Sequence, residues 1–176
     1  MLTAYALCLA LSIVHGPQGS SNLSEERIKF ACEQMPHVLE ASYKYNINPY
    51  TLTAMIFVES RWSSTAVSKA GACGLTQVLP KYVAQTCKEL KDPKISIHVG
   101  AHSLNKWIVK RKKKNEKLAL ACYNAGNKCD SSKTGRSYSN KIRKLAKKYN
   151  RWVMKNSEIN YFHTERIYAH QENYCQ

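Results

Sequence analysis

The sequence predicts a mainly α-helical single domain, held by disulfides and carrying at most a short β-hairpin. Three observations predict it. Apolar residues recur at helical spacing along most of the chain, with asparagine, proline and glycine at the boundaries. A length of 176 residues, 44% of them hydrophobic, suits one domain with a real core and is short for two. The cysteines form an even set once an N-terminal apolar run is set apart, as in an exported, disulfide-stabilised chain.

The elements follow in order. Residues 2–14 are an apolar run of signal-peptide length, too short to span a bilayer, and Gly19, Ser20 and Ser21 offer a cut. Residues 1–21 are therefore expected to be a signal peptide, 22–155 the folded domain and 156–176 a polar tail. The run has no Lys or Arg, and an uncleaved amphipathic or anchoring segment is the alternative. Ser24 caps a first helix, with Glu25 and Glu26 near its positive end. Pro36 interrupts that helix, and a second short one runs over 37–45. Asn48-Pro49, a cap followed by proline, starts a helix over 49–60. Leu52, Met55, Ile56 and Glu59 lie at offsets 0, 3, 4 and 7 along it, one helical face. A loop of small residues follows, with Ser63, Ser64, Ser68, Gly71 and Gly74, and a hairpin is expected within 67–78. Pro80 is expected to open a further helix with Val83, Cys87 and Leu90 on one side. Asp92-Pro93 starts the next, with Ile97, Ala101, Leu104 and Ile108 in register. A helix over 116–124 stops at Gly126. The last spans 137–155, with Tyr138, Ile142, Leu145, Tyr149, Trp152 and Val153 on one face. Lys141, Lys144, Lys147, Lys148 and Arg151 surround the other.

Without Cys8 the cysteines are Cys32, Cys73, Cys87, Cys122, Cys129 and Cys175, and their spacings fit no zinc pattern. Short-range pairing joins Cys73 with Cys87 and Cys122 with Cys129, which leaves Cys32 for Cys175. The net charge of +15 calls for an anionic partner such as nucleic acid, anionic lipid or an acidic wall polymer. The densest run, Lys110-Arg111-Lys112-Lys113-Lys114, has no interleaved aromatics and reads as a solvated loop. No nucleic-acid partner is expected. Phosphate-loop, GxSxG and HExxH motifs are absent, although a Cys–His nucleophile through Cys73 stays open beside its disulfide pairing.

Glu59 falls on a face that its helix should bury. Desolvation disfavours the charged carboxylate, raises its pKa and makes it a proton donor near neutral pH, as glycoside cleavage requires. The bland reading pairs it with a cation such as Arg61, or lets it reach solvent at the helix end. Against that, Gln77 and Asn124 can hydrogen-bond a neutral sugar, and Tyr43, Trp62, Tyr123 and Tyr138 can stack on sugar rings. Most glycosidases need two carboxylates. Between Glu40 and Glu89 only Glu59 occurs. Either the substrate supplies the second group, or Glu59 takes both proton-transfer roles in turn.

The order ESRW, AVSKAGACGLTQVLP, CYNAGN and RSYSNKI resembles the soluble lytic transglycosylase (SLT) domain, over about residues 37–149. The resemblance implies a lysozyme-like, mainly helical fold. It makes Glu59 the acid/base and Ser60 its hydroxyl neighbour. Gly74, Leu75 and Gln77 match the loop flanking the cleft, Tyr123, Asn124 and Gly126 the YNAG element, and Tyr138 the later cleft tyrosine. Thr76 stands where the family has methionine, and Ser96 and Ser103 where it has asparagine and tyrosine. Subsites near Thr76 and Ser103 are therefore expected to differ.

The implied reaction cleaves the bond between N-acetylmuramic acid and N-acetylglucosamine in peptidoglycan and closes an anhydro ring, with no cofactor or metal. The substrate's acetamido group serves as the second catalytic group. The alternatives are a muramidase of the same fold, which hydrolyses the bond, and an inactive basic module that binds wall or nucleic acid. Relatives of this kind are exported to the periplasm or cell wall, where they serve secretion or conjugation machines, and phages carry similar domains.

Overall fold

The structure is a computed structural model that describes residues 2–16, 19, 22–110 and 115–156. Seven α-helices are present among these residues: α1 (Ala4–His15), α2 (Glu25–Glu33), α3 (Met35–Lys44), α4 (Pro49–Ser60), α5 (Pro93–Lys110), α6 (Glu116–Ala125) and α7 (Lys133–Lys155). None is long and apolar enough to cross a membrane. The expected tail beyond Asn156, with Cys175, lies outside the described residues, as do Ser20, Ser21 and the centre of the basic run at 111–114.

The helix boundaries have local chemical causes. Ser24 Oγ accepts from Arg27 N at the start of α2, and Asn48 Oδ1 accepts from Tyr50 N and Thr51 N at the start of α4. α2 and α3 divide next to Pro36 as expected, and Pro36 itself sits in the first turn of α3, where its missing N–H costs nothing. Asn115 caps α6, and Gly126, at φ 63°, stops it. α7 begins one turn earlier than its apolar face suggests, because Ser132 Oγ accepts from Gly135 N at 3.0 Å.

α4 is the central helix. The sequence predicts one buried face, but every residue from 51 to 57 is buried. α3 and α7 pack on it, and α1 reaches it where the His15 ring stacks on Phe57 at 3.8 Å between centroids. Leu52, Met55 and Ile56 join Leu104, Ile142 and Tyr149 in one core. The 2–14 run, expected as a leader, forms α1. Its Leu7 and Leu11 are buried in that core, and His15 Nε2 and Tyr149 Oη lie 2.5 Å apart. Cys8 is bonded to Cys32. This corrects the expected Cys32–Cys175 clasp: α1 packs on α2 and brings Cys8 to Cys32. The other two expected bridges, Cys73–Cys87 and Cys122–Cys129, are present.

Residues 61–92 are a long loop. Of the expected hairpin, only isolated pairings of Cys73 with Val67 and Val78 form. The helix expected after Pro80 is replaced by short 3₁₀ turns at Pro80–Tyr82 and Glu89–Lys91. The chain there is bent back instead. Cys87 is tied to Cys73, and Leu90 O is packed so close to Gly74 that a Cβ there would lie 1.8 Å from it. Gly74 also has φ +74°, so both its conformation and its missing side chain are required.

Candidate active site

Glu59 is held on the last turn of α4, just beyond the fully buried stretch over 51–57. α7 crosses beside α4 and supplies Tyr138, whose Oη donates to Glu59 Oε1. Burial pushes the Glu59 carboxyl up to about 7, with the Tyr138 hydrogen bond pulling the other way. Arg61, the candidate counter-ion, is engaged elsewhere. The chain turns left-handed at Arg61 and Trp62, and the Arg61 guanidinium donates to Asn22 O and lies over the Phe57 ring. The site therefore holds a carboxyl that keeps a substantial protonated fraction at neutral pH, and a phenol oriented on it. That pair can give a proton to a leaving oxygen and take one back.

Tyr123, on α6, is the second buried phenol. Its Oη donates to Thr76 O at 2.8 Å. Burial and the neighbouring Glu59 charge push both Tyr123 and Tyr138 well above the ordinary tyrosine range, so both remain hydrogen-bond donors. Tyr123 and Asn124 also line a cavity of about 630 Å³ together with Gln77; Tyr123 thus joins the Glu59 site to this cavity, whose lining does not include Glu59 itself.

The structure brings Glu59, Tyr123 and Tyr138 together and sets Gln77 and Asn124 along the adjoining wall. The remaining expected residues have local duties. Ser60 Oγ donates to Ile56 O within its own helix. Gly74 and Leu75 are buried and shape the loop from within. Gln77, at φ +49°, donates its amide to Ala66 O and Gly74 O, which leaves its carbonyl side for the cavity.

Two expected stacking residues are corrected. Trp62 is 0% exposed, because the left-handed turn folds it into the core, where its backbone carbonyl accepts from Arg27. Tyr43 is 92% exposed on α3 and is not among the residues lining the cavity. Thr76 is 0% exposed and faces inward; its Oγ1 donates to Ser96 O, and its backbone N–H donates to Ser96 Oγ. Two of the three positions at which the sequence departs from the expected pattern are thus bonded to each other. Ser103, by contrast, does line the cavity.

Sequence reasoning missed Trp107, Lys110 and Asn127, which also line the cavity. The signal was present in α5, where Ser103, Trp107 and Lys110 share a helical face. No group of three or more His, Cys, Asp or Glu is placed to hold a metal ion among the described residues.

Fold and site together define a mainly helical domain that gathers one desolvated glutamate and two half-buried tyrosines. The Transglycosylase SLT domain family model matches residues 36–146, which carry all of these groups. The chain belongs to that family. It is 31% identical to the endo-type membrane-bound lytic murein transglycosylase A of Klebsiella pneumoniae, over 46% of each chain. The likeness to the Salmonella paratyphi B protein of the same name is also 31%, over 47% of this chain and 46% of that one. The chain thus spans under half the length of these curated relatives. Among solved structures, it resembles an inactive mutant of the lytic transglycosylase Slt from Pseudomonas aeruginosa. The TM-score is 0.57 at 21% identity, over 80% of this chain and 26% of the other.

Proposed function

We propose that this chain is an exported peptidoglycan lytic transglycosylase that works with Glu59 as its single acid/base. The observation that carries the reading is the buried Glu59 carboxyl, near neutral in pKa and fixed by Tyr138. Protonated Glu59 gives its proton to the glycosidic oxygen between N-acetylmuramic acid and N-acetylglucosamine. The substrate's acetamido oxygen supports the developing positive centre. The resulting carboxylate, steadied by the Tyr138 hydroxyl, then draws the proton from the muramyl 6-hydroxyl, which closes the anhydro ring. The Ser60 hydroxyl, Asn124 and the Gln77 carbonyl meet the sugar, and Tyr123 with the Gly74–Leu75 turn keeps the wall in place. Three disulfides suit an oxidising compartment outside the cytoplasm, and the net charge of +15 suits an acidic wall polymer.

Mass spectrometry of digested peptidoglycan tests the reading. Anhydromuramyl ends are expected; hydrated reducing ends would make the chain a muramidase, and binding without released fragments would make it a wall-binding module. Glu59→Gln keeps the shape of the side chain and is expected to abolish release while the far-ultraviolet circular dichroism stays unchanged. Full activity in that variant sinks the assignment.

A further inference from the structure

Four residues of α5, Ser103, Lys106, Trp107 and Lys110, lie at offsets 0, 3, 4 and 7 and face the cavity beside Tyr123. Each contributes something different. Ser103 is small and opens the floor of the cavity. Trp107 presents an aromatic wall to it. Lys110 is held in place: its Nζ lies 5.0 Å from the Trp107 ring centroid and donates to Asn127 Oδ1 at 3.0 Å. Lys106 stands one turn earlier on the same wall. No Asp or Glu lines this cavity, so its two ammonium groups meet no carboxylate within it. Cations at a helix C-terminus also complement the helix dipole. That accounts for charge near position 110, but not for two cations set in a cavity with an aromatic ring and amide side chains.

Amides and an aromatic face fit an acetamido sugar, and two cations beside them, one of them held by Trp107 and Asn127, fit a carboxylate carried on that sugar. We infer that Lys106 and Lys110 read a carboxylate borne by the glycan strand, making this end of the cleft select acidic, peptidoglycan-like strands over neutral N-acetylglucosamine polymers. The inference rests on the proposed function. Two sources supply such a carboxylate: the lactyl group of the muramyl ring when no peptide is attached, and the stem peptide when one is.

The test uses the full chain with Glu59→Gln, so that ligands bind without turnover, and titration calorimetry at low salt. The ligands are peptide-bearing glycan fragments, the same fragments stripped of peptide by an amidase, and neutral N-acetylglucosamine oligomers. Adding Lys106→Gln with Lys110→Gln is expected to weaken binding of a carboxylate-bearing ligand by about tenfold. The change for the neutral oligomer is expected to be much smaller. A loss with stripped strands assigns the lactyl carboxylate; a loss confined to peptide-bearing strands assigns the stem peptide. Lys141→Gln with Lys144→Gln, on the solvent face of α7, removes the same charge outside the cleft and is expected to leave all affinities unchanged. Three results overturn the inference: no loss with either charged ligand, an equal loss with the neutral oligomer, or an equal loss from the α7 variant. The reading of function has its own control. A wild-type chain that releases nothing from peptidoglycan overturns that reading and this inference with it, whereas an active wild type with an unaffected lysine variant overturns the inference alone.

Discussion

Glu59 ties the activity and the stability of the chain to the same proton. Its folded-state pKa is about 7, against 4.5 for an ordinary glutamate. Between these values the folded chain holds the extra proton. The stabilisation this gives is complete below about pH 4.5 and is lost as pH rises through 7. Glu59→Gln escapes that loss. It is expected to exceed the parent in stability by on the order of 1–3 kcal/mol at about pH 8.5 and to converge with it near pH 4.5, as read by urea melts. His15 works on the opposite limb. Burial lowers it to about 4, so its contribution is present above 6.5 and is lost as pH falls. Activity should decline above about pH 7, where the acid is no longer charged with its proton. Tyr138→Phe removes the hydrogen bond that favours the carboxylate, so its alkaline limb is expected at higher pH than in the parent, together with a lower kcat. A limb that moves down, or does not move, contradicts the role given to Tyr138.

At the scale of elements, much was legible because caps and stops are local. Asn48-Pro49 and Gly126 mark their helices through chemistry within a turn. The approach of Glu59 to Tyr138 was legible only through family resemblance, since 79 residues separate them. The turns after Pro80 were not legible. Their apolar spacing resembles a helix, but the Cys73–Cys87 bond and the seat of Gly74 on Leu90 bend the chain away from one. Trp62 was misplaced for a similar reason, because only the left-handed turn at Arg61 shows that its ring goes inward. The contact between Thr76 and Ser96 is another such non-local feature. A Cβ on Gly100 would lie 2.4 Å from the Thr76 side chain. Gly100→Ala is therefore expected to cost about 1–3 kcal/mol by overpacking, measured by denaturant unfolding. A cost near zero would mean that the loop yields freely at that contact.

At the scale of the whole molecule, α1 decides how the core closes. The all-round burial of α4 and the position of His15 could not be read from a segment that looked like a leader. Leu7 and Leu11 are fully buried, and each contributes about 1.5–3 kcal/mol on burial. A chain starting at Asn22 is therefore expected to melt roughly 10 °C or more below the full chain. Equal melting temperatures would show that the body is complete without α1, as a cleaved leader requires.

The bond between Thr76 and Ser96, packed on Gly100, also couples the loop to α5 as one unit for any segment exchange. Methionine in place of Thr76 would bring a longer side chain to a helix whose glycine leaves no spare room, and Ser96 would lose its hydroxyl partner. The loop and α5 therefore transplant as a pair. A chimera joined between them inherits a mismatched seam directly beneath Tyr123, whose hydroxyl rests on the carbonyl of Thr76.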